Sequence, residues 1–568
     1  MRIALPAATL LLLLAAEPAR AQSETEAGAA EPVAAPATRA TTAADVALAR
    51  GVPGGVPAVP GEMPSPLGGF FGVPFGSPLA QGSLEPGRTV ALEGGISGQI
   101  FATDNIFPGR AERRSEVVGS ITPDLFLTLD TARLQGRIVY VPTLQLYASD
   151  RDQDRLDHRL NASLLATLLG NSLFLDIRGS AGVQRIGGGS TDEDSASLPR
   201  RDRAQTASFS ATPYYMHRFG GLATGIVGYT LQYSREDGSS RSLTPGGQPF
   251  FTPQEFVSNT AFGALRTGED FGRLAFEVRG SGTTYSGDGV LDGAHRAIGE
   301  FEARYAITRG VAVLASVGYE SQSYAGVPPI RISEAVWGFG VRLDPSPDTM
   351  VIARYQHRDG FNSPSVLARI ALGARTVLFA SYSDELTTTV RRAADLLTTT
   401  TVDDLGNATD SRTGSPTQAS GGSLLALQNA LVRIKRASIA LSQVWDRDTI
   451  TLSLTREERV PVSVARGTVA FQQESESIGL SWSRSISPVT TFIASAQFGR
   501  FESSTLRTRG DSYSARLTLA HQLTERLTAS VQYQISNRFT DLADRDSAPF
   551  GRGDRLQNAV ILTLRQSF

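Results

Sequence analysis

The stretch Asn558-Ala559-Val560-Ile561-Leu562-Thr563-Leu564-Arg565-Gln566-Ser567-Phe568 decides the fold. Val560, Leu562, Leu564 and Phe568 share one phase, while Ala559, Thr563, Arg565 and Ser567 mostly fill the other. Successive side chains on a strand point to opposite faces, so this strand has one greasy face and one polar face. In water the greasy face would need a second layer over it. In a membrane the polar face lines a lumen and the greasy face meets lipid, because only helices and closed barrels pair every backbone amide there.

The same alternation recurs upstream. Leu527, Ala529, Val531, Tyr533 and Ile535 alternate with Thr528, Ser530, Gln532, Gln534 and Ser536; Ile478, Leu480 and Trp482 alternate with serine and glycine. Leu173, Leu175 and Ile177 alternate around Asp176 and Arg178, and Trp337, Phe339, Val341 and Leu343 around Gly338, Gly340 and Arg342. Charges on the polar phase in mid-strand favour a water-filled lumen over the core of a soluble sandwich.

Short turns fall near Thr131 to Arg133, Gly170-Asn171, Phe219 to Gly221, Glu269-Asp270, Thr308 to Gly310, Pro345 to Asp348, Gly373-Ala374, Asp446 to Asp448, Ile486 to Pro488 and Thr524-Glu525. Between them lie longer polar connections, clearest at 104 to 115, 150 to 157, 187 to 203, 238 to 256, 391 to 434 and 540 to 554. Alternation of short and long loops is the habit of a transmembrane barrel, with short turns in the periplasm. The expected fold is therefore all-β: a transmembrane antiparallel β-barrel over 89–568, with an even strand number of about 22, within roughly 16 to 22. Both termini are then periplasmic.

Arg2, the apolar run Ala4 to Ala16 and Ala19-Arg20-Ala21 read as a removable signal peptide over 1–21. Residues 22–88 read as a disordered Ala/Pro/Gly-rich periplasmic segment that buries too little apolar surface to offset its ordering entropy. Phe70, Phe71 and Phe75 within it read either as part of a tail or as aromatics that dock a partner or lie in the barrel mouth.

Composition narrows the function. A net charge of -2 on 54 basic and 56 acidic residues argues against nucleic-acid binding, which needs a concentrated basic face. No run of apolar residues is long enough for a membrane-spanning helix. The five histidines, His158, His217, His295, His357 and His521, fall in no metal-ligand or nucleophile pattern. No enzyme activity, catalytic residue, metal or cofactor is expected. Absence of cysteine fits passage through an oxidising compartment.

The candidate functional residues are lumen charges: Asp176, Arg178, Arg273, Glu277, Arg279, Glu300, Glu302 and Arg304. Facing carboxylates and guanidiniums set a transverse field across a pore and so its ion preference; the same residues also read as ladder pairs that stabilise the wall. Arg110, Arg113, Arg114, Arg200, Arg201 and Arg203 in the long loops read either as grips for anionic sugar or lipid phosphate, or as solvated mixed-charge loops. In the longest connection, Leu424, Leu425, Leu427, Leu431 and Ile434 have helical spacing. That segment is expected to fold inward and narrow the channel, to cover the mouth as a lid, or to extend a strand.

The ending on Phe568 resembles the C-terminal recognition signal read by the barrel-assembly machinery, with Gln566 where an aromatic or aliphatic residue is usual. Phe568 is thus the candidate assembly signal. An opening strand ending in Thr103-Asp104-Asn105-Ile106-Phe107, a charged loop, Ser115-Glu116 and then Ile121-Thr122-Pro123 resembles the outer-membrane β-barrel porin family, including exosortase (PEP-CTERM) system-associated and polysaccharide-cluster barrels. The resemblance implies a porin-like channel for small polar or anionic solutes, or else a component of exopolysaccharide or surface-protein export acting through partners. It implies a bacterial outer-membrane location, with outer-membrane lipid and lipopolysaccharide, the assembly machinery and polysaccharide-export proteins as partners.

Overall fold

The computed structural model describes residues 89–107, 113–170, 172–188, 195–243, 246–346, 348–392, 400–402, 408–410, 424–540 and 556–568. The expected signal peptide, the 22–88 segment with its phenylalanines, and Arg110 lie outside the described residues.

The alternating runs form 22 strands of one antiparallel sheet. In chain order they are β1 Val90–Thr103, β2 Glu116–Asp130, β3 Leu134–Tyr147, β4 Arg155–Leu169, β5 Leu173–Arg185, β6 Arg203–Phe219, β7 Ala223–Gly238, β8 Gln254–Thr267, β9 Leu274–Gly287, β10 His295–Thr308 and β11 Val311–Tyr324. There follow β12 Ile330–Ser346, β13 Thr349–Arg358, β14 Phe361–Gly373, β15 Thr376–Thr387, β16 Ala430–Val444, β17 Asp448–Val464, β18 Gln473–Ser487, β19 Thr490–Ser503, β20 Thr508–Thr524, β21 Leu527–Thr540 and β22 Gln557–Ser567. Each strand pairs with the next in sequence, and β1 also pairs with β22 from Gly95↔Ser567 to Thr103↔Ala559. The sheet is therefore a closed barrel without free edges.

The outer face is apolar. Val560, Leu562, Leu564 and Phe568 are exposed, as are Leu480, Phe339, Trp337 and Val531. Their polar-phase neighbours Thr563, Arg565, Ser530 and Ser481 are buried on the inner side. Strands of 10 to 17 residues exceed the roughly 9–11 that cross a bilayer. The surplus lies toward the long loops, where the outer face turns charged: Arg456 meets Glu474 and Glu476, and Arg500 meets Asp511 at 2.8 Å.

The long-loop end departs from the sequence reading in two ways. First, its connections are not all long. Asp359 and Gly360, with φ of 56° and 83°, form a two-residue turn between β13 and β14; positive φ at both positions is what a tight hairpin with twisted strands requires. Second, the helical spacing of Leu424, Leu425, Leu427, Leu431 and Ile434 does not produce a helix: residues 424–429 are irregular, and from 430 onward the segment extends a strand, β16. Its leucines gain apolar neighbours from other loops and an adjoining strand, so the 3.6-residue spacing competes with packing that helical geometry would not satisfy.

Candidate functional site: a capped, charged lumen

The mouth at the long-loop end is bridged from side to side. Leu424, Leu425, Ala426 and Leu427, just before β16, are buried against Ile186 after β5, Phe250 and Phe251 before β8, Phe471 before β18 and Phe501 of β19. Backbone bonds fix this contact: Leu427 N–H donates to Ile186 O at 2.9 Å and Asn429 N–H to Phe250 O at 3.1 Å. β5 and β16 stand on opposite sides of a 22-strand ring, so these bonds cross the mouth. A second cluster adds Phe256, Tyr285, Leu291, Tyr324, Leu386, Val390 and Leu431. At roughly 2 kcal/mol per buried large side chain, the cap is a small apolar core built of loop residues and upper strand ends.

Below the cap the lumen wall is charged. The expected residues Glu277, Arg279, Glu300 and Glu302 meet: Arg279 lies 2.8 Å from Glu300, 3.5 Å from Glu277 and 3.7 Å from Glu302. β9 and β10 bring them together because Arg279 stands opposite Glu300 and Glu277 opposite Glu302 in register. Asp176 and Arg178 form a separate buried pair at 2.7 Å on β5. Arg304 also lies on the lumen phase, one inward position nearer the short turns than Glu302. Arg273 does not: it is exposed in the turn before β9, where its carbonyl accepts from Ala306 N–H.

Several members of the network were missed by the sequence reading. Arg358 reaches Glu300 at 2.6 Å and Arg354 reaches Glu302 at 2.6 Å. Arg296 pairs with Asp359 at 3.0 Å, and Gln322 donates to the same carboxylate at 2.7 Å. Tyr324 donates to Gln322 and itself accepts from Arg391, in the helical turn of the cap, at 3.0 Å. A polar chain thus runs from mid-wall to cap. Glu457 of β17 collects Arg392 at 3.5 Å, Arg436 and Arg459 in the same manner. The available signal was strand phase, since Arg296, Arg354 and Arg358 share the inward phase of their strands.

Among the loop arginines, Arg113 pairs with Asp104 at 3.1 Å and Arg114 with Asp150 at 3.5 Å, as solvated mixed-charge loops do. Arg203 is instead buried at the start of β6 against Asp157. Among the described residues no group of acidic and histidine side chains could hold a metal ion.

No protein-family model matches the chain, and no curated protein does. Solved structures similar to it include Pseudomonas aeruginosa FpvA bound to heterologous pyoverdines, at 12% identity over 84% of this chain and 72% of that one, with a TM-score of 0.45. The siderophore receptor PirA from Acinetobacter baumannii gives 8% identity over 85% and 81%, TM-score 0.45. Pseudomonas aeruginosa OccK2 (OpdF) gives 9% over 84% and 98%, TM-score 0.33.

Proposed function

We propose that the protein is an outer-membrane channel, porin-like, that passes small polar solutes and prefers anions. An apolar outer face and a charged inner face on one closed wall are what a barrel in lipid needs. The short turns then face the periplasm, with both ends of the barrel there, and the cap faces outward. Anion preference is carried by one observation. The wall carboxylates Glu277, Glu300, Glu302, Asp176 and Asp359 each lie within 4 Å of an arginine, whereas Arg266, Arg304 and Arg369 on the same inner phase form no ion pair among the described residues. Glu236 and Glu320, buried carboxylates on the inner phase near the cap, also form no ion pair among the described residues, so the lumen field is positive toward the short turns, where Arg266, Arg304 and Arg369 lie near the ends of their strands. Reversal potentials of the purified protein in a planar bilayer under a potassium chloride gradient test this. Chloride selectivity is expected; cation selectivity rejects it.

The cap favours a second reading, in which the protein serves exopolysaccharide or surface-protein export through partners that open it. Loss of surface polysaccharide in cells lacking the protein, with little conductance from the isolated barrel, is the outcome that separates this reading from the first.

A further inference from the structure

Arg304, Arg342 and Arg369 form a row on the lumen wall. They lie on β10, β12 and β14, three strands of the same direction, and each stands four residues before its strand's last residue, Thr308, Ser346 and Gly373. The same register irregularity follows each of them, at Ala306/Thr308, Leu343/Ser346 and Ala371/Gly373. Equal distance from equivalent turns puts the three at one height above the short-turn rim, as strand tilt and stagger in a barrel demand. All three are half-buried on the inward phase. The intervening strands offer only Ala312, Leu314, Met350 and Ile352 at that level.

The row is poorly neutralised. Arg342 pairs with Asp344, but Arg304 and Arg369 form no ion pair among the described residues, and the Nε of each is buried without a hydrogen-bond partner. The three stand on alternate strands, and their like charges repel across the uncharged side chains between them. Neighbouring strands lie about 4.8 Å apart, so successive arginines are roughly 10 Å apart and the row is roughly 20 Å long. One carboxylate or phosphate cannot bridge such a row. Guanidiniums bind both groups through paired N–H donors.

We infer that Arg304, Arg342 and Arg369 are a binding track for an extended chain carrying repeated carboxylate or phosphate groups, which reaches the lumen from the short-turn end. The inference deepens the channel reading and rests on its orientation, with the short turns in the periplasm. The cap bridges the other mouth, so the short-turn end is the route by which such a chain reaches the row.

Titration calorimetry of the detergent-purified protein tests it, with galacturonate, an oligogalacturonate of about eight residues and a linear polyphosphate of similar length, long enough to cover a row of roughly 20 Å. The oligomers are expected to bind about a hundredfold tighter than the monomer, two further contacts each being worth about tenfold. Preference for one oligomer supports the track and identifies its anion. The triple variant R304Q/R342Q/R369Q is expected to weaken oligomer binding by about a hundredfold or more, and R304K/R342K/R369K to restore most of it. Heat-dependent gel mobility checks that each variant is folded; if the triple glutamine variant is not, the three single variants carry the comparison at about tenfold each. Equal binding by native and glutamine variants overturns the inference, as does a monomer that binds as tightly as the oligomer. Conductance separates the two readings: arginine-dependent binding without any conductance removes the channel and keeps the track, while chloride-selective conductance with arginine-independent binding does the reverse.

Discussion

Arg565 and Asp124 form a buried ion pair, Nη2 to Oδ2 at 2.7 Å, that reaches from the last strand to the second across the first. β1 passes between them at Gly95, where a Cβ would stand 2.9 Å from both Arg565 Nη2 and Asp124 Oδ1. The pair ties the strands on either side of β1 at the point where the barrel closes. It exists because β1 carries no side chain there.

Filling that space should loosen the closure. Gly95→Val is expected to drive the two charges apart, and Asp124→Asn to leave the guanidinium without its counter-charge, a loss of about 3 kcal/mol for a broken buried pair. Both should lower the temperature at which the unboiled protein loses its compact gel mobility, while Gly98→Val, where nothing lies within 4 Å, should not. Equal melting of all three would remove the pair from any part in closure.

Phe568 should matter for assembly more than for stability. Its ring is 74% exposed on the outer face, although its N–H donates to Gly94 O at 3.0 Å. Deleting it costs only about 2 kcal/mol of apolar contact. If the residue is the assembly signal, its deletion should cut the amount of protein in the outer membrane sharply, with degradation in the periplasm. Normal membrane levels would falsify the signal reading.

The cap should control conductance. Phe471→Ala removes an almost fully buried ring that meets Phe250 edge to face, a loss of about 3 kcal/mol to the loops rather than to the wall. Larger or more frequent openings in single-channel recordings are expected, with wall stability unchanged. Unaltered currents would place the limiting constriction below the cap.

Cap stability should fall as pH rises. Glu236 is 1% exposed near the upper end of β7, between the outward-facing charges Arg235 and Asp237 and so above the apolar belt. Burial pushes its carboxyl up to about 7, and Arg459 with the Thr389 hydroxyl offsets only part of that cost. A raised carboxyl stabilises the folded form in full below its ordinary value of 4.5, and that contribution is lost as pH rises through about 7. The amount is about 3 kcal/mol at most. Hydrogen exchange of residues 424–429 should therefore be slower at pH 5 than at pH 8.5, once corrected for intrinsic rates, and Glu236→Gln should abolish the difference. A difference of the same size in the variant would assign it to other groups.

Much of the wall was legible in the sequence, because alternation along a strand is a local property. Phase alone separated Leu562 from Arg565 and placed Asp176, Glu277, Arg279, Glu300, Glu302 and Arg304 on one inner surface. It was less informative near strand ends: Arg273 fits the phase yet lies in a turn, since nothing in the alternation marks where pairing begins. The spacing from Leu424 to Ile434 left a constriction, a lid and a strand extension open for a related reason, because a short apolar run in a loop takes whatever backbone its distant neighbours impose.

Sequence by itself determined the barrel, its two faces and the even strand number, since all three follow from the period of two and the spacing of turns. Tertiary structure decided what those strands enclose. Arg358 and Glu300 are separated in sequence by two hairpins, and Arg565 from Asp124 and Leu427 from Ile186 by much of the chain. Register between strands and closure of the ring bring each pair together, and neither is written in any one strand, because pairing energy depends on both partners and a slip of one residue would turn every inward charge outward.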